Sequence, residues 1–171
     1  MKKILIVIPT LNEKGNISII IKKINKFQKQ ASVLFVDDNS TDGSINEVNN
    51  YKKKNKNIFL LLRKNKKGVG SAHKDGLKWG YKKNFDYLCT LDCDGTHNPR
   101  DIKKMLKKIN HCDLVNTNRF SNKKALIKWT LDRIILTKLR YLLVKTFLKT
   151  KLDSSGGFRL YDRRKIKLKD I

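Results

Sequence analysis

Up to Arg119 the apolar residues keep changing their spacing, and each change marks a new element. Lys3 to Pro9 is a run of Ile, Leu and Val closed by proline, the pattern of a strand buried on both faces. From Asn16 to Gln30 the apolar Ile17, Ile20, Ile21, Ile24 and Phe27 recur at steps of three and four. Lys22, Lys23, Lys26 and Lys29 fall largely on the other side, which predicts an amphipathic helix. The alternation then repeats. Val33 to Val36 predicts a strand, Ser44 to about Lys54 a weaker helix, Ile58 to Leu62 a strand, and Val69 to about Lys83 a helix. Tyr87 to Leu91 is strand-like, Asp101 to Ile109 is an amphipathic helix after Pro99, and Leu114 to Thr117 is a short fifth strand. Strands alternating with helices over short links specify a doubly wound α/β fold with a mostly parallel central sheet flanked by helices.

Beyond Arg119 the alternation stops. In residues 123–150, Ile127, Leu131, Ile134, Ile135, Leu139, Leu142, Leu143 and Phe147 interleave with Lys128, Arg133, Lys138, Arg140, Lys145 and Lys149, which predicts one or two basic amphipathic helices. Two readings of that apolar stripe stand side by side: packing into the core, or contact with a lipid boundary. No Pro- or Ser-rich linker, low-complexity block or repeat interrupts the chain. Residues 1–121 are therefore expected to form a ligand-binding core, and residues 122–171 a basic segment of the same domain.

Composition adds a demand for an anionic partner. Forty Lys and Arg stand against 15 Asp and Glu, a net charge of +25 over 171 residues. The imbalance is denser at the end, with 25 cations to 11 acids in residues 1–121 and 15 to 4 in residues 122–171. Such a field suits nucleic acid, an anionic membrane surface or a phosphorylated ligand. At 39% hydrophobic and 8% aromatic residues the chain can fill a core, which excludes a disordered polybasic tail. No uncharged run approaches the roughly 18–20 apolar residues of a spanning helix, and no signal-peptide pattern opens the chain. Three cysteines, Cys89, Cys93 and Cys112, point to reduced thiols in a cytosolic setting. With His97 and His111 they lack zinc spacing.

The chemistry collects where the predicted strands end, the place at which open α/β sheets bind ligands. Strand one runs into Pro9-Thr10-Leu11-Asn12-Glu13, strand two into Asp37-Asp38-Asn39-Ser40-Thr41-Asp42-Gly43, and strand four into Asp92-Cys93-Asp94-Gly95. Asp92 and Asp94, one residue apart after an apolar strand, would project to one side and could hold Mg²⁺ or Mn²⁺ through hard oxygen ligands. At the end of strand two, Asp37 and Asp38 could offer one carboxylate to a base or ribose while the other faces solvent or caps the next helix. N-capping is the expected role of Ser40, Thr41 and Asp42. Lys67-Gly68-Val69-Gly70-Ser71-Ala72 sets two glycines before a helix but lacks the third glycine of a dinucleotide fingerprint. A basic nucleic-acid-binding protein accounts for the charge alone and leaves Asp37, Asp38, Asp92 and Asp94 unexplained.

Taken as a set, these residues resemble the inverting nucleotide-sugar glycosyltransferases of the GT-A fold, above all their dolichyl- and polyprenyl-phosphate mannosyltransferase-like branch. Pro9 to Glu13, Val36 to Gly43, Lys67 to Gly76 and Asp92 to Pro99 match that family's motifs in order. Asn118-Arg119-Phe120, the pair Trp129 and Arg133, and Gly156 to Tyr161 match the branch. The resemblance implies a donor such as GDP-mannose or a UDP-sugar, with its base near Pro9, Leu11, Glu13 and Asp37. Asp38, Lys67, Gly70 and Cys93 belong to the same nucleotide-sugar site, and Asp92 and Asp94 would carry Mg²⁺ or Mn²⁺ at the diphosphate. Arg119, Arg133 and Arg159 would face donor or acceptor phosphates, and the acceptor would be a polyprenyl phosphate at the cytoplasmic face of a membrane that the protein meets peripherally. Leu11 stands where the family usually has Tyr or Phe, and Gly95 and Thr96 replace its usual Leu or Phe and Gln or Ser. The chain ends soon after Arg159, where relatives continue, so a nucleotide-sugar-binding relative without transferase activity is the alternative.

Overall fold

The computed structural model describes residues 2–65, 68–118, 130–147 and 156–171, with side chains at all of these except residues 131–134 and 145. Six strands form one sheet: β1 (Ile4–Thr10), β2 (Ser32–Asp37), β3 (Ile58–Leu62), β4 (Tyr87–Thr90), β5 (Leu114–Asn116) and β6 (Arg159–Asp162). Their order is β3-β2-β1-β4-β6-β5. β1, β2, β3 and β4 are mutually parallel, and β6 runs antiparallel to both β4 and β5. The mostly parallel α/β sheet is thus as expected. β6 is the addition: its four residues alternate between half-buried and buried, too short a pattern to stand out from the glycine motif before it.

Among the described residues five α-helices connect the strands: α1 (Asn16–Phe27), α2 (Ser44–Lys54), α3 (Val69–Lys82), α4 (Ile102–Lys108) and α5 (Leu131–Phe147). Because strand side chains alternate between faces, Ile6 and Ile8 of β1 pack with Ile17, Ile20, Val48, Ile102 and Met105 beneath α1, α2 and α4. Leu5 and Val7 pack on the opposite face with Ala72 and Leu77 of α3. α3 lies unusually close to the sheet. A Cβ at Gly80 would come within 2.6 Å of Leu5 and Leu88, and one at Gly76 would collide with Val7. α1 stops at Phe27, short of the expected Gln30, because Gln28 leaves helical geometry and turns its side-chain amide to donate to the Pro99 carbonyl.

The strand order reverses between β1 and β4, and β1 outruns its neighbour there. Its register with β4 ends at Val7 opposite Thr90, whereas its register with β2 continues to Thr10 opposite Asp37. Pro9, which has no N–H to offer, sits in that overhang, where β4 asks nothing of it. The crevice outside this switch point is bounded by the loops after β1, β2 and β4.

α5 answers the question about the basic segment. Ile135, Leu136, Leu139, Leu142, Leu143 and Phe147 are all about half exposed or more, so among the described residues the stripe is not core. No helix among the described residues is long and apolar enough to cross a membrane. β6, by contrast, joins the core sheet, and Lys165 beyond it donates to the carbonyls of Ile109, Asn110 and Cys112. The stretches 119–129 and 148–155, which contain Arg119, Phe120 and Trp129, lie outside the described residues, as does Lys67.

Candidate functional site

The loops after β1 and β2 hold each other through backbone N–H groups that the turn leaves without helical partners. Asn12 N donates to Ser40 Oγ at 2.8 Å, Glu13 N to Ser44 Oγ at 2.8 Å, and Lys14 N to Asp42 Oδ2 at 2.9 Å. The Glu47 carboxylate, carried on α2, reaches across to accept from Gly15 N at 2.8 Å and Ser18 N at 3.0 Å, capping α1 from outside. Asn12 takes a positive φ of 57° and accepts from Thr41 N. The Ser44 hydrogen bond holds the Asp42 carboxyl below the usual carboxylate range. Asp42 therefore ties two loops together; the residue preceding α2 is Gly43, which has no side chain to cap it.

Of the roles expected for Asp37 and Asp38, one carboxylate toward a ligand and the other facing solvent or capping the next helix, the solvent-facing one is not seen, because both are buried. Asp37 Oδ1 accepts from Ser40 N at 2.7 Å, and Oδ2 accepts from Thr10 Oγ1 at 2.9 Å and Ser40 Oγ at 2.7 Å. Asp38 is ion-paired with Arg63, and its Oδ2 accepts from Gly68 N at 3.2 Å. Arg63, itself buried, also donates to Ser71 Oγ at 2.9 Å, Asp75 Oδ2 at 3.0 Å and the Gly68 carbonyl at 3.1 Å. In the sequence its one signal is a cation directly after an apolar strand, and no motif marks it. Its fork of donors locks the glycine turn before α3 onto the loop after β2, and it leaves Gly70 open, with nothing within 4 Å of where a Cβ would stand.

Pro9, Leu11 and Glu13 line the other wall, half-buried, with Glu13 Oε2 accepting from Asn16 Nδ2 at 2.7 Å. On the other side of β1 from β2 lies the turn after β4. Cys93 is buried in the core, whereas Asp92 on one side is half-buried and Asp94 on the other is exposed. That alternation keeps both carboxylates at the surface. Gly95 makes the turn with φ of 79°, and Asp94 Oδ1 accepts from Thr96 N at 2.9 Å and Thr96 Oγ1 at 2.7 Å. Burial pushes the Cys93 thiol up, so it stays protonated and offers no thiolate. Its part in the site is to anchor the turn.

Two imidazoles surround Asp92: His97, within the Asp92–Pro99 motif, and His73, which no sequence motif marked. His97 Nδ1 accepts from Asp92 N at 3.1 Å, and its ring stacks on Phe158 with centroids 5.1 Å apart. His73, from α3, brings Nε2 to 3.9 Å from Asp92 Oδ1, and burial holds its imidazole below the ordinary histidine range. The Gly156–Arg159 segment closes this side: Thr90 Oγ1 donates to the Gly157 carbonyl at 2.5 Å and accepts from Arg159 N at 3.2 Å. Arg159 Nε donates to the Gly156 carbonyl at 2.8 Å. Arg133 belongs to α5, and its side chain lies outside the description.

The donor set fits a hard divalent cation in one respect. Two aspartates at a surface turn supply anionic oxygens and leave positions for water and phosphate. A Cβ at residue 157 would lie 3.3 Å from Asp92 Oδ1, so glycine there keeps that carboxylate clear. Among the described residues no third His, Cys, Asp or Glu completes a protein cage.

Comparison with known proteins gives three findings. The family described as Glycosyl transferase family 2 matches residues 5–168. Among curated proteins, an undecaprenyl-phosphate mannosyltransferase of Micrococcus luteus is 28% identical over 160 residues, covering 93% of this chain and 66% of that protein. A polyprenol monophosphomannose synthase of Mycolicibacterium smegmatis is 26% identical over 173 residues, covering 99% and 65%. The chain thus spans about two thirds of the length of the curated relatives it matches. Among solved structures, glucosyl-3-phosphoglycerate synthase from Mycobacterium tuberculosis, in complex with Mn²⁺, uridine diphosphate and glucosyl-3-phosphoglycerate, superposes with a TM-score of 0.66 at 17% identity. It covers 95% of this chain and 57% of that one, and so shares the fold.

Proposed function

Because the chain belongs to glycosyl transferase family 2, we propose that it transfers a sugar, mannose above all, from a nucleoside-diphosphate donor to a polyprenyl phosphate with inversion at the anomeric carbon. The observation that carries this reading is the placement of three polar loops about the β1/β4 switch point, with the half-buried Asp92 and exposed Asp94 in the turn after β4. The two curated relatives, whose names specify undecaprenyl phosphate and polyprenol monophosphomannose, supply the acceptor class.

In this reading Pro9, Leu11 and Glu13 receive the nucleoside, and the Asp37 and Asp38 networks hold its loops in place. Asp92 and Asp94 hold Mg²⁺ or Mn²⁺, which when bound neutralises diphosphate charge and favours departure of the leaving group. An acceptor phosphate oxygen attacks the anomeric carbon, the bond from that carbon to the donor's β-phosphate oxygen breaks, and the nucleoside diphosphate leaves. A phosphate monoester with a second pKa of about 6 is already ionised at pH 7, so no side chain need remove a proton. Positive charge near the acceptor is the remaining requirement, and Arg119, Arg133 and Arg159 are the residues assigned to it.

The test is transfer of radiolabel from GDP-mannose, or from UDP-glucose, into organic-extractable polyprenyl phosphate. Arg133→Ala is expected to lower turnover tenfold or more, equivalent to at least about 1.4 kcal/mol in the transition state, while nucleotide affinity stays nearly intact. A wild-type chain that binds donor but labels no lipid would favour the non-catalytic alternative.

The same reading assigns α5 to an anionic bilayer at the cytoplasmic face. Its apolar residues are exposed, and Lys138 and Arg140 are exposed beside them. Each cation near the headgroups contributes about 1 kcal/mol, screened by salt. Phosphatidylglycerol vesicles are expected to sediment the protein at low salt and release much of it at high salt. Equal, negligible binding to anionic and neutral vesicles would count against a membrane acceptor.

A further inference from the structure

The two imidazoles beside Asp92 are not equivalent. His97 Nδ1 accepts the Asp92 N–H, so in the neutral ring its proton is on Nε2 and it has nothing to donate to Asp92 Oδ2, 3.6 Å away. His73 approaches from α3, across the crevice. Its side chain is 16% exposed, and its Nε2 is buried with no hydrogen-bond partner among the described residues. Leaving a buried ring nitrogen unpaired is unfavourable. Asp92 Oδ1 at 3.9 Å is about 0.7 Å beyond hydrogen-bond reach. Gly157 packs against the same pair: a Cβ there would stand 3.3 Å from Asp92 Oδ1, 3.4 Å from Oδ2 and 3.6 Å from His73 Cε1. Asp92 is also 36% exposed and its terminal torsion is soft, so its carboxylate has room to turn toward Nε2.

We propose that His73 is a positioning residue for Asp92: its Nε2–H donates to Asp92 Oδ1 when that carboxylate holds the divalent cation, fixing the carboxylate's orientation. The inference rests on the reading that Asp92 and Asp94 bind the metal, and it adds a group from the far wall of the crevice. Metal-binding carboxylates are held from behind by hydrogen-bond donors, and loss of such a partner typically weakens metal binding 10–100-fold. A histidine that served only to fill space would be matched by phenylalanine, which has similar ring volume and no donor. One that coordinated the metal directly would put nitrogen in its inner shell.

The experiment titrates Mn²⁺ into the full chain with GDP, and separately with UDP, by calorimetry and by the electron paramagnetic resonance of free Mn²⁺. His73→Phe is expected to weaken Mn²⁺ binding about tenfold or more, whereas His73→Gln, which keeps an N–H donor, stays within about threefold of wild type. Nucleotide affinity in EDTA is expected to be the same in all three. Thermal unfolding verifies that the variants fold, and His73→Met replaces the phenylalanine variant if that one does not. Wild-type Mn²⁺ affinity in the donor-free variant overturns the proposal, as does equal weakening by Gln and Phe, or a directly coordinated nitrogen in the electron spin echo spectrum. A wild-type chain whose nucleotide affinity ignores Mn²⁺ and EDTA overturns the metal reading itself. A metal-responsive wild type with an indifferent His73→Phe overturns only the role of His73.

Discussion

Asp94→Asn is expected to reduce transfer to polyprenyl phosphate by about 10²–10³-fold, corresponding to roughly 3–4 kcal/mol of transition-state stabilisation. The substitution isolates charge from shape. Asparagine keeps an Oδ1 that can accept from Thr96 N and Thr96 Oγ1, so the turn around Gly95 is preserved. What disappears is one of two anionic oxygens at an exposed turn that has no third protein ligand among the described residues. A cation held by two carboxylates and a diphosphate has little to fall back on when one becomes neutral. Calorimetric titration of GDP and UDP is the direct check. The wild type is expected to lose affinity on adding EDTA, whereas Asp94→Asn is already weak and changes little. Equal affinity for both proteins in Mn²⁺ and in EDTA would remove the metal from the mechanism.

Arg63→Met is expected to destabilise the fold by about 3–5 kcal/mol, because removing one partner strands the other charge in the interior. Arg63 is 7% exposed and Asp38 6%, and the arginine also serves Ser71, Asp75 and the Gly68 carbonyl. That loss is a large share of the 5–15 kcal/mol that typically separates folded from unfolded domains. Urea unfolding followed by circular dichroism measures it. The double variant Arg63→Met with Asp38→Asn is expected to recover a substantial part, since the orphaned charge is gone. A double variant as unstable as the single one would show that lost packing, not an uncompensated carboxylate, accounts for the damage.

Apolar runs and helical periods made β3 and α2 legible, because each is bounded by polar or glycine-containing links. Polar residues at the ends of β1, β2 and β4 were legible for the same reason, as departures from otherwise apolar strands. The roles of those residues were less so. Asp37 looks like a ligand-facing carboxylate until its oxygens are seen to be occupied by Thr10 and Ser40, and only the side-by-side register of β1 and β2 brings Thr10 to it. His73 sits one residue from buried Ala72 and three from Gly76, so a helical pattern assigns it to the sheet-facing side. Its proximity to Asp92 depends on how tightly Gly76 and Gly80 let α3 approach. β6 escaped because four residues carry too little periodicity, and what makes them a strand is pairing with β4 and β5, remote in sequence.

The insertion of β6 also sets a timetable for synthesis. β5 touches the sheet only through β6, so while the nascent chain has not yet delivered Arg159–Asp162, β5 has no strand to join and β4 presents an unpaired edge. Strands with bare edges invite association with other chains, and pairings that span 70 residues form late. On the ribosome, the β1–β4 half of the molecule can therefore assemble well before the rest. The Gly157 backbone that packs on Asp92, and the Thr90 hydroxyl contact beside it, come into place only with β6. The wall of the crevice that confines Asp92 thus forms after the β1–β4 half and most of the hydrophobic core packed against it.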